Sequence, residues 1–188
     1  HIISLETGKS VNESIAEVNE TLHMLQCVVA SGKTPTGKIY TSEISEKDVY
    51  EYVKPKGIVA IVSPFNFCLA IGSAWNAGPA LLEGNTVIHK PSEHAPLTAK
   101  MMADLYYEAG FPKEVYNMVY GADITGQMVV EHPDVNVILF TGSAEVGKKI
   151  RQHCATTWNK TCSCEMGSKS AVIVFEDGDM DIALDASI

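Results

Sequence analysis

The sequence predicts an α/β fold, a doubly wound and mainly parallel sheet preceded by an N-terminal helix and a short β-hairpin arm, and three observations carry that reading. Five short runs are apolar almost throughout and rich in β-branched residues, at 58–62, 86–89, 115–119, 136–140 and 171–175. Strands buried on both faces have this composition, as in a parallel sheet covered by helices. Between and after them lie segments with helical spacing, at 70–83, 96–109, 124–131, 143–156 and 179–188. Strand and helix in alternation build crossover units. Finally, 188 residues of which 46% are hydrophobic are enough for one well-packed domain.

The elements follow in order. Residues 10–31 place Val11, Ile15, Val18, Leu22, Leu25 and Val29 on one helical face, with Glu and Asn between them and Gly32 as a stop. Residues 33–48 are polar, contain Pro35 and have no sustained period, so they form a connection or a short irregular hairpin. Residues 49–53 are strand-like, and Pro55-Lys56-Gly57 turns the chain into the first sheet strand. The division is therefore 1–57 for the N-terminal helix and arm, and 58–188 for the α/β domain.

Composition excludes several function classes. Lys and Arg number 14 against 23 Asp and Glu, and the net charge of −9 opposes binding to phosphate backbones, so no nucleic-acid partner is expected. The longest apolar runs are strand-length, far short of the roughly 20 residues that cross a bilayer, so no membrane partner is expected either. Five scattered cysteines, an odd number, suit reduced thiols in a cytoplasmic protein better than a disulfide framework. The chain lacks a starting Met and a secretory leader, and its last residues fall inside a helical pattern, so a piece of a longer polypeptide is expected.

In a doubly wound sheet, ligands bind at the carboxyl ends of the strands. The loops there are Ser63-Pro64-Phe65-Asn66-Phe67-Cys68, Lys90-Pro91-Ser92-Glu93, Gly121-Ala122-Asp123 and Thr141-Gly142-Ser143; Glu165-Met166-Gly167-Ser168-Lys169 is expected in a turn before the last strand. These five loops, with the match running from Leu5-Glu6-Thr7-Gly8-Lys9 to Ile188, together resemble the NAD(P)-dependent aldehyde dehydrogenase superfamily. No Gly-x-Gly-x-x-Gly loop is present, and this superfamily binds its dinucleotide without one. The sequence departs from the family's pattern at Cys68, where a proline is usual, and at Met166 and Ser168, where leucine and glycine are usual.

The resemblance implies a Rossmann-like cofactor domain with part of an oligomerisation arm, the catalytic domain being absent. It also implies oxidation of an aldehyde to an acid with NAD through a cysteine thiohemiacetal and thioester. The nucleophilic cysteine then lies beyond Ile188, so this chain alone is expected to be inactive, while the full-length parent is expected to be a homo-oligomer. Asn66 donates to the oxyanion and Glu165 acts as general base on the hydrolytic water. The expected cofactor contacts begin with Val62, Ser63, Pro64 and Phe65 after the first strand. Lys90, Ser92 and Glu93 follow the second, and a Glu93 that accepts ribose hydroxyls and repels a 2′-phosphate argues for NAD over NADP. Gly121 is a further, weaker candidate. Phe140, Gly142, Ser143 and Val146 surround a helix start suited to phosphate, and Met166 completes the set.

Two other readings stay open at this level. One is a non-catalytic dinucleotide-binding module with a regulatory role. The other is a metal-binding protein using Cys162 and Cys164, but Cys-x-Cys is not the usual zinc spacing and has no second pair, so no metal site is assigned.

Overall fold

A computed structural model describes residues 1–187. Two helices, α1 (Ile2–Thr7) and α2 (Val11–Ser31), lead to an antiparallel hairpin of β1 (Ile39–Thr41) and β2 (Asp48–Tyr50). Ser10 and Glu13 close a capping box at the start of α2, which satisfies the free N–H groups there reciprocally. The sheet then follows. β3 (Ile58–Val62) runs through a wide π-type turn, Ala70–Ala77, into α3 (Gly78–Leu82) and β4 (Thr86–Lys90). α4 (Pro96–Glu108), β5 (Tyr116–Met118), α5 (Asp123–Glu131), β6 (Val135–Gly142), α6 (Ala144–Thr156), β7 (Thr161–Met166) and the short α7 (Met180–Asp185) complete the order.

The five sheet strands are parallel in the order β5-β4-β3-β6-β7. From β3 the chain winds outward through β4 and β5, then returns to the other side of β3 with β6 and β7. The order therefore reverses between β3 and β6, the place where such sheets open a crevice. Residue parity divides the core. Val59 and Ile61 of β3 pack with Ala77, Met102, Tyr106 and Tyr116 under the π-type turn and α4. Ala60 faces the other way, with Ile138, Val130 and Ile150 under α5 and α6.

The expected strand at 171–175 does not form. Its run is exposed, with Ile173 at 76% and Phe175 at 75%, and it pairs with no strand among the described residues. The edge of β6 is taken by Thr161–Met166, in register from Val137↔Thr161 to Gly142↔Met166. Connectivity explains this: β7 begins a few residues after α6 ends, so the closer segment reaches the edge first. Glu165 accordingly lies within a strand, not in the turn that was expected to precede one. The helix expected over 179–188 is present as α7, capped by the Asp179 carboxylate; residue 188 lies outside the described residues.

The predicted helix at 10–31 is present, but most of its apolar stripe faces outward, with Ile15 55%, Leu22 53% and Val29 60% exposed, and of the named residues Leu25 packs against the core. Amphipathic helices ordinarily bury that stripe. Here Ser14, Glu17 and Thr21 are buried instead, because Glu17 Oε1 accepts from the backbone N–H of Leu69 (2.7 Å) and Ala70 (3.3 Å), which have no partner within their own turn. Satisfying those donors fixes which face of α2 turns inward.

Candidate functional site

Strands β3, β4 and β6 end at the rim of a cleft of about 660 Å³ between α5 and α6. Val62, Ser63, Pro64 and Phe65 form its first wall. Lys90, Ser92 and Glu93 form the second, and Phe140, Gly142, Ser143 and Val146 the third. The remaining predicted residues stand apart. Asn66 is exposed on the loop just beyond Phe65, and Glu165 is exposed in β7 opposite Thr141. Met166 turns from the cleft and packs its sulfur against Gly147 of α6. Gly121 lies outside the cleft as well; its φ of 147° and the Thr125 hydroxyl that a side chain would strike give it a local role in turning the chain into α5.

Lys90 is almost fully buried, and its ammonium donates to the Pro91 carbonyl (2.8 Å) with the Glu93 carboxylate at 3.5 Å. The Glu93 carboxyl is held below its ordinary range, first by a hydrogen bond from its own backbone N–H and then by Lys90. An ionised, half-exposed acceptor beside a fixed cation is the arrangement that receives a pair of hydroxyls. Across the cleft, Ser143 caps α6 by accepting from the backbone N–H of Val146 (3.3 Å), so the positive end of that helix faces the cavity.

Two buried polar networks position the first wall, and neither was anticipated from the sequence. His89, fully buried, bonds through Nε2 to the Ser63 hydroxyl (2.7 Å) and through Nδ1 to the Tyr116 hydroxyl (2.8 Å). Burial, with Lys90 adding to it, pushes the imidazole down to about 3 and keeps it neutral. The second network joins Lys9, Glu17 and the loop after Asn66. Lys9 Nζ donates to Glu17 Oε2 (2.7 Å) and to the Asn66 carbonyl, and lies 4.5 Å from the Phe67 ring centre. A single apolar-run pattern carries no sign of either, since each partner sits on a different element.

Sequence reading also missed most of the helical walls. Gly126 and Val130 of α5 and Lys149, Ile150 and His153 of α6 line the cleft. The three-to-four-residue spacing in each helix was the available signal, because one face of each helix must look at the other.

Three of the thiols, Cys68, Cys162 and Cys164, are pushed away from the thiolate form. Burial, and then the Glu17 charge, pushes Cys68 up to about 11, so it behaves as a small buried hydrophobe. Burial also raises Cys162 and Cys164, and the nearby Arg151 guanidinium only partly offsets it. Among the described residues no group of three or more His, Cys, Asp and Glu is placed to hold a metal ion, and no helix is long and apolar enough to cross a membrane.

Comparison with known proteins extends this geometry. A family model described as the aldehyde dehydrogenase family matches residues 1–188. A betaine aldehyde dehydrogenase of Bacillus subtilis is 36% identical over 187 residues, covering 98% of this chain and 38% of that protein. A mitochondrial succinate-semialdehyde dehydrogenase of Arabidopsis thaliana is 37% identical over 188 residues, which is 35% of its length. Among solved structures, betaine aldehyde dehydrogenase from Staphylococcus aureus in complex with NAD+ superposes with a TM-score of 0.90 at 31% identity, over 98% of this chain and 36% of that one. The chain thus spans less than two fifths of the relatives it matches.

Proposed function

The chain belongs to the aldehyde dehydrogenase family, and from that premise we propose that it is the NAD-binding part of an enzyme that oxidises an aldehyde to a carboxylic acid. The observation that carries this reading is the cleft at the order reversal of the sheet, where Lys90 and Glu93 face the positive end of α6 across a space with no side chain at Gly126. These residues fit a dinucleotide: a carboxylate for ribose hydroxyls, a helix start for phosphate and apolar helix walls for a flat base. NAD, when bound, supplies the hydride acceptor.

The residues of this chain take the following roles. Glu93 accepts the ribose hydroxyls and its charge disfavours a 2′-phosphate, so NAD is preferred over NADP. Asn66 donates to the oxygen that gains charge when a thiolate adds to the aldehyde carbonyl. Glu165 takes a proton from the water that hydrolyses the resulting thioester. The thiolate itself comes from a part of the parent polypeptide outside this segment, as the resemblance to the family implies. Residues 58–188 make up the cofactor domain, and 1–57 hold the helix and an arm through which parent copies associate; the exposed Ile39 and Tyr52 of that arm support this. The free cysteines fit a reducing, cytoplasmic setting. The relatives' names cover different aldehydes, and no particular one is assigned to this chain.

The test is Asn66→Ala and Glu165→Gln in the intact parent enzyme. Asn66→Ala is expected to lower kcat by a factor on the order of 10²–10³ with NAD affinity unchanged. Glu165→Gln is expected to give one burst of NADH followed by slow turnover. Losses confined to cofactor affinity would overturn both assignments.

A further inference from the structure

We propose that Lys9 and Glu17 are positioning residues for Asn66: their ion pair ties the loop that carries this side chain to the corner between α1 and α2. The inference rests on the reading of Asn66 given above. An amide that donates to a developing oxyanion has to be held within about 0.5 Å of its productive place. Asn66 is exposed, on the short connection between β3 and the π-type turn, so its own surroundings in the chain supply little of that accuracy. Among the described residues its one hydrogen bond is the one its carbonyl accepts from Lys9 Nζ.

Lys9 is itself fixed. Gly8, with φ of 73°, ends α1 in the left-handed conformation and turns the chain toward α2. The Lys9 carbonyl accepts from Ser4 Oγ (2.6 Å) and its N–H donates to Thr7 Oγ1 (3.3 Å), so the backbone is held on both sides of the side chain. From there the ammonium meets Glu17 Oε2 at 2.7 Å and the Asn66 carbonyl, and it stands over the Phe67 ring, 4.5 Å from the centre, where the ring face attracts a cation. The other Glu17 oxygen accepts from the N–H groups of Leu69 and Ala70. One carboxylate therefore holds the loop twice, directly at 69–70 and through Lys9 at 66. Between these two points Cys68 packs against Ile3 of α1 and Ala95. The Glu17 side chain is wholly buried and that of Lys9 is 13% exposed. Such a pair contributes little net stability, because desolvation offsets much of its attraction. Its effect here is geometric, and it gives the helices ahead of the cofactor domain a part in the reaction.

The test is a double-mutant cycle in the intact parent enzyme, with kcat, the dissociation constant of NAD and the unfolding midpoint as readouts. Lys9→Met alone would strand the buried Glu17 charge and threaten the fold. The pair is therefore replaced together, as Lys9→Met with Glu17→Gln, which keeps an acceptor for Leu69 and Ala70 and buries no lone charge. This variant is expected to fold, to bind NAD as before and to lose about tenfold in kcat, on the scale of a loop displaced by less than 1 Å. Glu17→Gln alone, in which Lys9 stays but loses its counter-charge, should lose less and serves as the second variant. In an Asn66→Ala background neither change should lower kcat further, because the amide they position is gone. A loss that persists at full size in that background, a loss matched by weaker NAD binding, or an unchanged kcat in the folded variants overturns the proposal and leaves the role of Asn66 standing. If Asn66→Ala by itself leaves kcat unchanged, the oxyanion reading falls and this inference falls with it.

Discussion

The two faces of the sheet are built from the same strands and do opposite things. The face under α4 and the π-type turn is sealed: Tyr116, His89 and Ile61 are fully buried and the polar groups among them are paired. The face under α5 and α6 is sealed near the strand starts, at Val135 and Ile138, and opens into the cleft near the strand ends. The difference teaches that binding capacity here comes from helix walls that stop short of meeting, while the sealed face holds the strand ends at fixed spacing. Substitutions on the sealed face should therefore cost stability first, and those at the cleft should cost affinity or selectivity first.

The largest expected effect is on the sealed face. Tyr116→Ala removes a wholly buried ring and leaves His89 Nδ1 without its partner, so a loss of about 3–5 kcal/mol is expected in urea unfolding. If that variant kept its stability but lost NAD affinity, the division between the faces would be wrong.

The next effect is a pH dependence. His89 falls from the ordinary 6.5 to about 3 on folding, so the unfolded chain binds its proton more readily than the folded one. The stabilisation is complete above pH 6.5 and is lost as the pH falls toward 3, at about 1.4 kcal/mol per unit for one proton. Unfolding midpoints at pH 7 and 5.5 should show this slope, and His89→Met should flatten it. An equal slope in the variant would assign the dependence to other groups.

The smallest effect belongs to the cleft. Glu93→Ser should shift preference from NAD toward NADP by a few-fold, the scale of one partly exposed charge contact, with the unfolding midpoint nearly unchanged. An unaltered cofactor ratio would remove Glu93 as the discriminating residue.

Much of the fold was legible because parallel strands announce themselves by apolar runs, and four of the five predicted runs became sheet strands. The fifth prediction failed at 171–175, since apolarity marks a segment that can be buried but not which edge buries it; the shorter connection from α6 brought Thr161–Met166 there instead. The cleft was legible through its strand ends, where Lys90 and Gly142 close their strands and Ser63 and Glu93 stand just beyond theirs. It was less so in the helices, where Lys149, Ile150 and His153 become neighbours of Val130 only after α5 and α6 pack side by side.

By itself, then, the sequence determined the first four sheet strands, the helices between them and the strand-end loops, because those rest on local periodicity and on short connections. The tertiary structure alone decided which face of α2 turns inward, which segment completes the sheet, and that His89 stands neutral between Ser63 and Tyr116. Each of these depends on partners far apart in the chain, whose donors, acceptors and free strand edges meet only when the sheet has closed.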